Sequence, residues 1–103
     1  MTVIAMLSVA PVREGDMSED VAAAVAALDD FDVSYETNPM ATTIEADTID
    51  ELLAAVAAAH KAVDADRVST VLKIDDKRTE TLRAQDKVDA VAEVLGREPK
   101  RER

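Results

Sequence analysis

The chain opens on an alternation of two. Across Thr2–Ala10, Val3, Ala5, Leu7 and Val9 fall on one face and Ile4, Met6 and Ser8 on the other. That is strand spacing. The second face is also mostly apolar, which predicts a central strand covered on both sides. Pro11 and Gly15 punctuate the turn that runs to Asp16. From Ser18 the period lengthens. Val21, Val25 and Leu28 recur at helical spacing among alanines, predicting a helix from a Ser18 N-cap to Asp30. Glu19 and Asp20 suit the positive end of its dipole.

The alternation returns in Phe31–Thr37, where Val33 and Tyr35 oppose Ser34 and Glu36. Asn38-Pro39 reads as a turn, because proline fixes its own φ and pushes the preceding residue out of the helical region. The β-branched run Thr42-Thr43-Ile44 opens a third strand. Thr43 and Glu45 point to one face of it, Thr42 and Ile44 to the other. Thr48 with Glu51 is a capping-box pattern. The helix it begins carries Ile49, Leu52, Leu53, Val56, Ala59 and Val63 on one stripe. His60 lies at the edge of that stripe and reads as a partly buried residue rather than a ligand. Arg67–Asp75 is a fourth strand, with Val68, Thr70, Leu72 and Ile74 opposite Ser69, Val71 and Lys73. A last helix, Ala84–Leu95, carries Val88, Val91, Ala92 and Leu95 and stops at Gly96.

The order is β-α-β-β-α-β with a helix appended. This split βαβ pattern predicts an α+β, ferredoxin-like fold: a four-stranded antiparallel sheet with two helices on one face and a C-terminal helix. Residues 1–96 form its single domain, and Arg97–Arg103 is expected to be a mobile charged tail. The third helix is left to lie on the remaining sheet face or an edge. One short helix cannot cover a whole sheet face, so a second subunit is expected there, in a homo-dimer or homo-tetramer.

Charge narrows the partners. The chain has 22 acidic and 12 basic residues, for a net charge of -10. Such a surface repels nucleic acid and anionic membranes. No apolar run approaches the roughly 20 residues of a membrane span. The first residues read as a strand rather than a signal peptide, so a cytoplasmic protein is expected. The chain has no cysteine, which removes disulfides and thiol chemistry.

Chemistry-bearing patterns are sparse. The chain has two glycines and one histidine, so neither a phosphate-binding glycine loop nor a zinc cluster is available. A Ser-His-Asp triad would have to recruit His60 from a helix stripe. The pairs Asp29-Asp30 and Asp75-Asp76 read as exposed element ends. A non-enzymatic binding or interaction module, with no metal or cofactor, is the expectation. Thr43 and Glu45 place a hydroxyl and a carboxylate on one face, which is either a polar site or a solvated sheet face.

The run Asn38-Pro39-Met40-Ala41-Thr42-Thr43-Ile44-Glu45-Ala46 resembles the Pro-Met-Gly-Thr-x-Ile-Glu-Gly signature of the YkoF-like thiamine-binding family, with Ala41 and Ala46 where the signature has glycine. Further similarity runs along the chain, at Ser8-Val9-Ala10-Pro11, at Ser18 with Val21-Ala22, and at Arg67-Val68-Ser69-Thr70. It continues at Lys73-Ile74-Asp75 with Arg78 and at Lys87-Val88. The resemblance implies a ferredoxin-like subunit that assembles into dimers or tetramers and binds thiamine or its hydroxymethylpyrimidine moiety without reaction. On that implication Glu45 pairs with a ring nitrogen or amine, Ser8 and Thr43 complete the polar edge, and Tyr35 and Met40 pack against the rings. The alternative is a structural module whose sheet face makes only subunit contacts.

An acid-rich, lysine-poor chain with one Phe, one Tyr and no Trp has the composition of a protein working in high salt, where surface repulsion is screened. Its thermal midpoint is therefore expected to rise from low salt to molar potassium chloride. A lower midpoint in molar salt, by circular dichroism, would contradict this.

Overall fold

The computed structural model describes residues 2–103. The central strand β1 (Val3–Pro11) is paired on both sides. Helix α1 (Ser18–Ala27) follows, continued by a 3₁₀ turn over Leu28–Asp30. Strands β2 (Val33–Thr37) and β3 (Thr42–Ala46) form a hairpin. Helix α2 (Ile49–Ala62), strand β4 (Val68–Asp75) and helix α3 (Ala84–Leu95) complete the chain. The sheet order is β2-β3-β1-β4 and every neighbouring pair is antiparallel. This is the ferredoxin-like arrangement that the element order predicts.

One face of the sheet is dry. Val3, Ala5, Leu7 and Val9 of β1 are buried with Ile44 and Ala46 of β3 beneath Ala24 and Leu28 on the α1 side and Leu52, Ala55, Val56 and Ala59 of α2. The alanines let α1 and α2 pack against each other closely. The opposite face is open. Met6, predicted to be covered, is 40% exposed, and Val71 is 54% exposed. Helix α3 does not close this face within the chain: it has no buried residue.

Local chemistry differs from expectation at three places. Ser18 is the first helical residue of α1, not its cap. The Ser18 N–H donates to the Asp16 carboxylate at 2.9 Å, and its hydroxyl to the same oxygen at 2.7 Å. These bonds hold the Asp16 carboxyl below its ordinary range. Thr48 does cap α2, its hydroxyl accepting from the Glu51 N–H at 3.1 Å. Glu51 does not reach back to close a capping box. Its carboxylate accepts from the Asp32 N–H at 2.9 Å instead, tying α2 to the entry of β2. His60 is exposed rather than part of the core, and its Nδ1 meets the Thr70 hydroxyl at 2.5 Å. Gly96 ends α3 as expected, at φ 75 and with its N–H on the Ala92 carbonyl.

Leu52 is fully buried at the centre of the helix layer. Leu52→Ala is expected to cost about 2–5 kcal/mol in chemical denaturation, as buried leucine truncations do. A cost below about 1 kcal/mol would mean that this layer is not the core.

Candidate functional site

The strands flanking β1 differ in length, and this creates the cleft. β3 accompanies β1 only from Val3 to Leu7, ending at the Leu7–Thr42 pair. β4 continues beside β1 to Pro11. Ser8, Val9 and Ala10 therefore have a strand on one side only. The chain space on their free side is taken by the hairpin turn between β2 and β3. The Asn38 carboxamide oxygen organises that turn, accepting from the Met40 and Ala41 N–H groups, both at 3.0 Å. The Asn38 N–H closes it on the Ala41 carbonyl at 2.9 Å, and the Thr37 and Thr42 hydroxyls meet at 3.0 Å across its base. Among the described residues only glycines have positive φ, so alanine sits at position 41 without backbone strain.

Between this turn, the free edge of β1 and helix α1 lies a cleft of about 210 Å³. Leu7, Val9, Val21, Val25 and Leu28 form its apolar walls. Ser8, Ala10 and residues 37–42 form its rim. None of its lining side chains is titratable. The Val21-Val25 stripe of α1 thus faces the cleft, while Ala24 and Leu28 are the buried members of that helix and its 3₁₀ turn. The volume lies below the roughly 300 Å³ at which pockets for drug-sized ligands begin, which suits a single heteroaromatic ring. Apolar walls with a few polar and backbone groups at the rim are the usual build of a small-molecule site.

The residues singled out from the sequence are divided among three places. Ser8 and Met40 line the cleft, Met40 at its rim and 85% exposed. Thr43 and Glu45 stand on the open sheet face, opposite Met6 and Ile4 of β1. Tyr35 is on the helix face of β2, opposite the buried Ile44. Its hydroxyl donates to the Asp29 carboxylate at 2.6 Å, and that bond holds the phenol above its usual value. The five do not form one constellation. The period of two gave Thr43 and Glu45 their common face. The walls Val21 and Val25 carried no distinguishing signal, since a helix stripe usually reads as core. The useful signal was length: nine residues in β1 against five in β3 leave an uncovered edge.

The open face has its own electrostatics. Glu45, Ile4 and Asp75 lie in one row across β3, β1 and β4. The Arg83 guanidinium reaches Glu45 at 3.2 Å, and Lys87 pairs with Asp75. Both cations belong to the start of α3, so the helix is pinned by its first turn. The Lys87 ammonium holds the Asp75 carboxyl below its ordinary range. No helix among the described residues is long and apolar enough to cross a membrane.

This architecture is a ferredoxin-like module with a ring-sized cleft at the free edge of its central strand. The chain belongs to the thiamine-binding protein family, whose model matches residues 5–92. A UPF0045 protein of Methanothermobacter thermautotrophicus is 49% identical over 82 residues, covering 77% of this chain and 83% of that protein. The crystal structure of MJ1052, a UPF0045 protein of Methanocaldococcus jannaschii, superposes with a TM-score of 0.82 at 36% identity, covering 89% of this chain and 97% of the other. A Thermotoga maritima protein, provisionally named for thiamine biosynthesis or salvage, shares the fold at a TM-score of 0.77 and 24% identity, covering 88% and 99%.

A depressed native pKa means that the Asp75–Lys87 pair holds α3 fully above the ordinary carboxylate range and loses its grip as pH falls through the native value. The protection of the α3 backbone amides beyond the first turn, taken relative to their intrinsic exchange rate at each pH, is therefore expected to fall on acidification through that window. Lys87→Ala should show the lower protection already at neutral pH. Equal protection in variant and parent at neutral pH would refute the pinning.

Proposed function

We propose that this chain binds thiamine, or the hydroxymethylpyrimidine part of it, in the cleft between α1 and the β2–β3 turn, and performs no reaction on it. The observation that carries the reading is the convergence at one cleft of Ser8–Ala10 and Asn38–Thr42, two of the stretches that bear the family resemblance. A pyrimidine ring would pack on the valine and leucine walls. Its nitrogens and exocyclic amine would find partners in backbone groups along the free edge of β1 and in the β2–β3 turn. The cationic thiazolium would remain at the mouth, favoured by a protein of net charge -10. A cleft without a titratable side chain offers no general acid or base, which supports binding rather than catalysis. The acidic composition and the lack of thiols support a cytoplasmic setting.

The open face supports a second element of the proposal. Copies of the chain assemble into a homo-oligomer that covers Ile4, Met6 and Val71. Water-exposed apolar side chains grouped on one sheet face favour such burial.

Calorimetric titration with thiamine and with hydroxymethylpyrimidine tests the ligand. Val25→Trp, which fills the cleft from its wall, is expected to abolish the heat. Glu45→Ala is expected to leave it within about threefold, a free-energy change under about 1 kcal/mol. No heat from either compound at millimolar concentration would overturn the proposal. Loss of binding in Glu45→Ala with binding retained in Val25→Trp would move the site to the open face.

A further inference from the structure

The cleft accommodates one ring of a two-ring ligand. Thiamine joins its pyrimidine to a cationic thiazolium, and a volume of about 210 Å³ holds only the first. A shallow groove continues from the cleft along the outer side of α1. It shares Val21, Val25 and Thr37 with the cleft. Met17 and Ala22 extend its floor, and Asp16 stands at its head. Val21, Ala22 and Val25 are spaced so that they form one strip of the helix, beside the buried Ala24 and Leu28. Asp16 is the one titratable side chain lining this groove.

The charge at the head of the groove is fixed by the chain itself. A helix N-terminus ordinarily attracts an anion through its unpaired N–H groups and its dipole. At α1 the anion is built in. Asp16 Oδ1 accepts from the Ser18 N–H at 2.9 Å and from the Ser18 hydroxyl at 2.7 Å. Those bonds hold the carboxyl below its ordinary range, so it is charged at neutral pH. Among the described residues no cation forms an ion pair with it. Arg13, the cation nearest in sequence, pairs with Asp20 and donates to the Glu14 and Asp16 carbonyls. Lys73 of β4 lies opposite Met6 and so projects from the open face, away from the helices.

We propose that this groove seats the cationic second ring of the ligand, and that the Asp16 carboxylate at its head makes the site selective for the unphosphorylated compound. This rests on ligand binding in the cleft, as proposed above, and names the form of ligand that the cleft takes. The thiazolium lies on the Met17, Val21 and Ala22 floor with its charge toward Asp16. A phosphate ester on its hydroxyethyl arm brings roughly -1.5 to -2 charges at neutral pH. That charge enters a space holding a carboxylate and neither an ammonium nor a guanidinium. The field of a chain at -10 acts in the same direction. The groove is open to water, so screening limits the discrimination to roughly tenfold to a hundredfold.

Calorimetric titrations of the whole chain with hydroxymethylpyrimidine, thiamine and thiamine monophosphate, at one salt concentration, test this. Thiamine is expected to bind at least about tenfold more tightly than its monophosphate. Asp16→Asn keeps a residue that caps helices as well as aspartate does. It is expected to weaken thiamine about threefold, the worth of one exposed charge pair, and to narrow the gap to the monophosphate. Ala22→Lys, at an exposed position of α1, places a cation in the groove and is expected to weaken thiamine while tightening the monophosphate. Hydroxymethylpyrimidine has no second ring, so its affinity is expected to stay unchanged in both variants, which also reports that they are folded. Equal affinity of the parent for thiamine and its monophosphate overturns the selectivity. The same ratio in Asp16→Asn as in the parent overturns the role of Asp16. Thiamine binding no tighter than hydroxymethylpyrimidine, or an Ala22→Lys variant with both thiamine affinities unchanged, overturns the groove as the seat of the second ring; all three results leave binding in the cleft standing. No heat from either unphosphorylated compound overturns the cleft itself and this proposal with it.

Discussion

The pairing register of β1 with β3 is the constraint on which the rest depends. It runs from Val3–Ala46 to Leu7–Thr42 and stops there. A strand slipped by one residue would exchange its two faces entirely. Val3, Ala5 and Leu7 would then turn to water and Met6 to the helices. The stop is fixed from outside the ladder by the Asn38 side chain, which folds the β2–β3 turn onto itself. One register therefore sets the dry core, the free edge of Ser8–Ala10 and the row Glu45–Ile4–Asp75 that anchors α3.

The two sides of the sheet use different physics. The helix side is held by apolar burial, with polar contacts at its margins such as Thr48 to Glu51, Asp32 to Glu51 and Tyr35 to Asp29. The open side holds ionic contacts between the sheet and the first turn of α3, at Glu45 and Asp75. Exposed ion pairs contribute little each. They orient α3 more than they stabilise it. The cleft belongs to the first side, and its walls are an extension of the core rather than a feature of the open face.

The fold was legible because its periodicities are clean. Val3, Ala5, Leu7 and Val9 alternate cleanly along β1, and the stripe Leu52, Val56 and Ala59 marks α2. The site was legible only in part. Sequence spacing places Thr43 beside Glu45, but it is silent on Arg83, which lies far along the chain and occupies the Glu45 carboxylate. The family resemblance implied Tyr35 as a ligand contact, whereas the Asp29 carboxylate engages that hydroxyl. Long-range pairing between charged side chains leaves no periodic trace, and such pairing decided where these two polar groups point. The caps show the same limit at short range. Ser18 and Glu51 are the right residue types at the right places, yet Asp16 and the Asp32 N–H take their bonds.

The alanine contact between α1 and α2 has a thermodynamic corollary. Small side chains bring less hydrocarbon out of water than the leucines and phenylalanines of a typical interior. Unfolding then carries a modest heat-capacity increment, since that quantity scales with the apolar area exposed. The curve of free energy against temperature is correspondingly flat. The stability of such a chain varies less steeply with temperature than that of a chain with a leucine- and phenylalanine-rich interior.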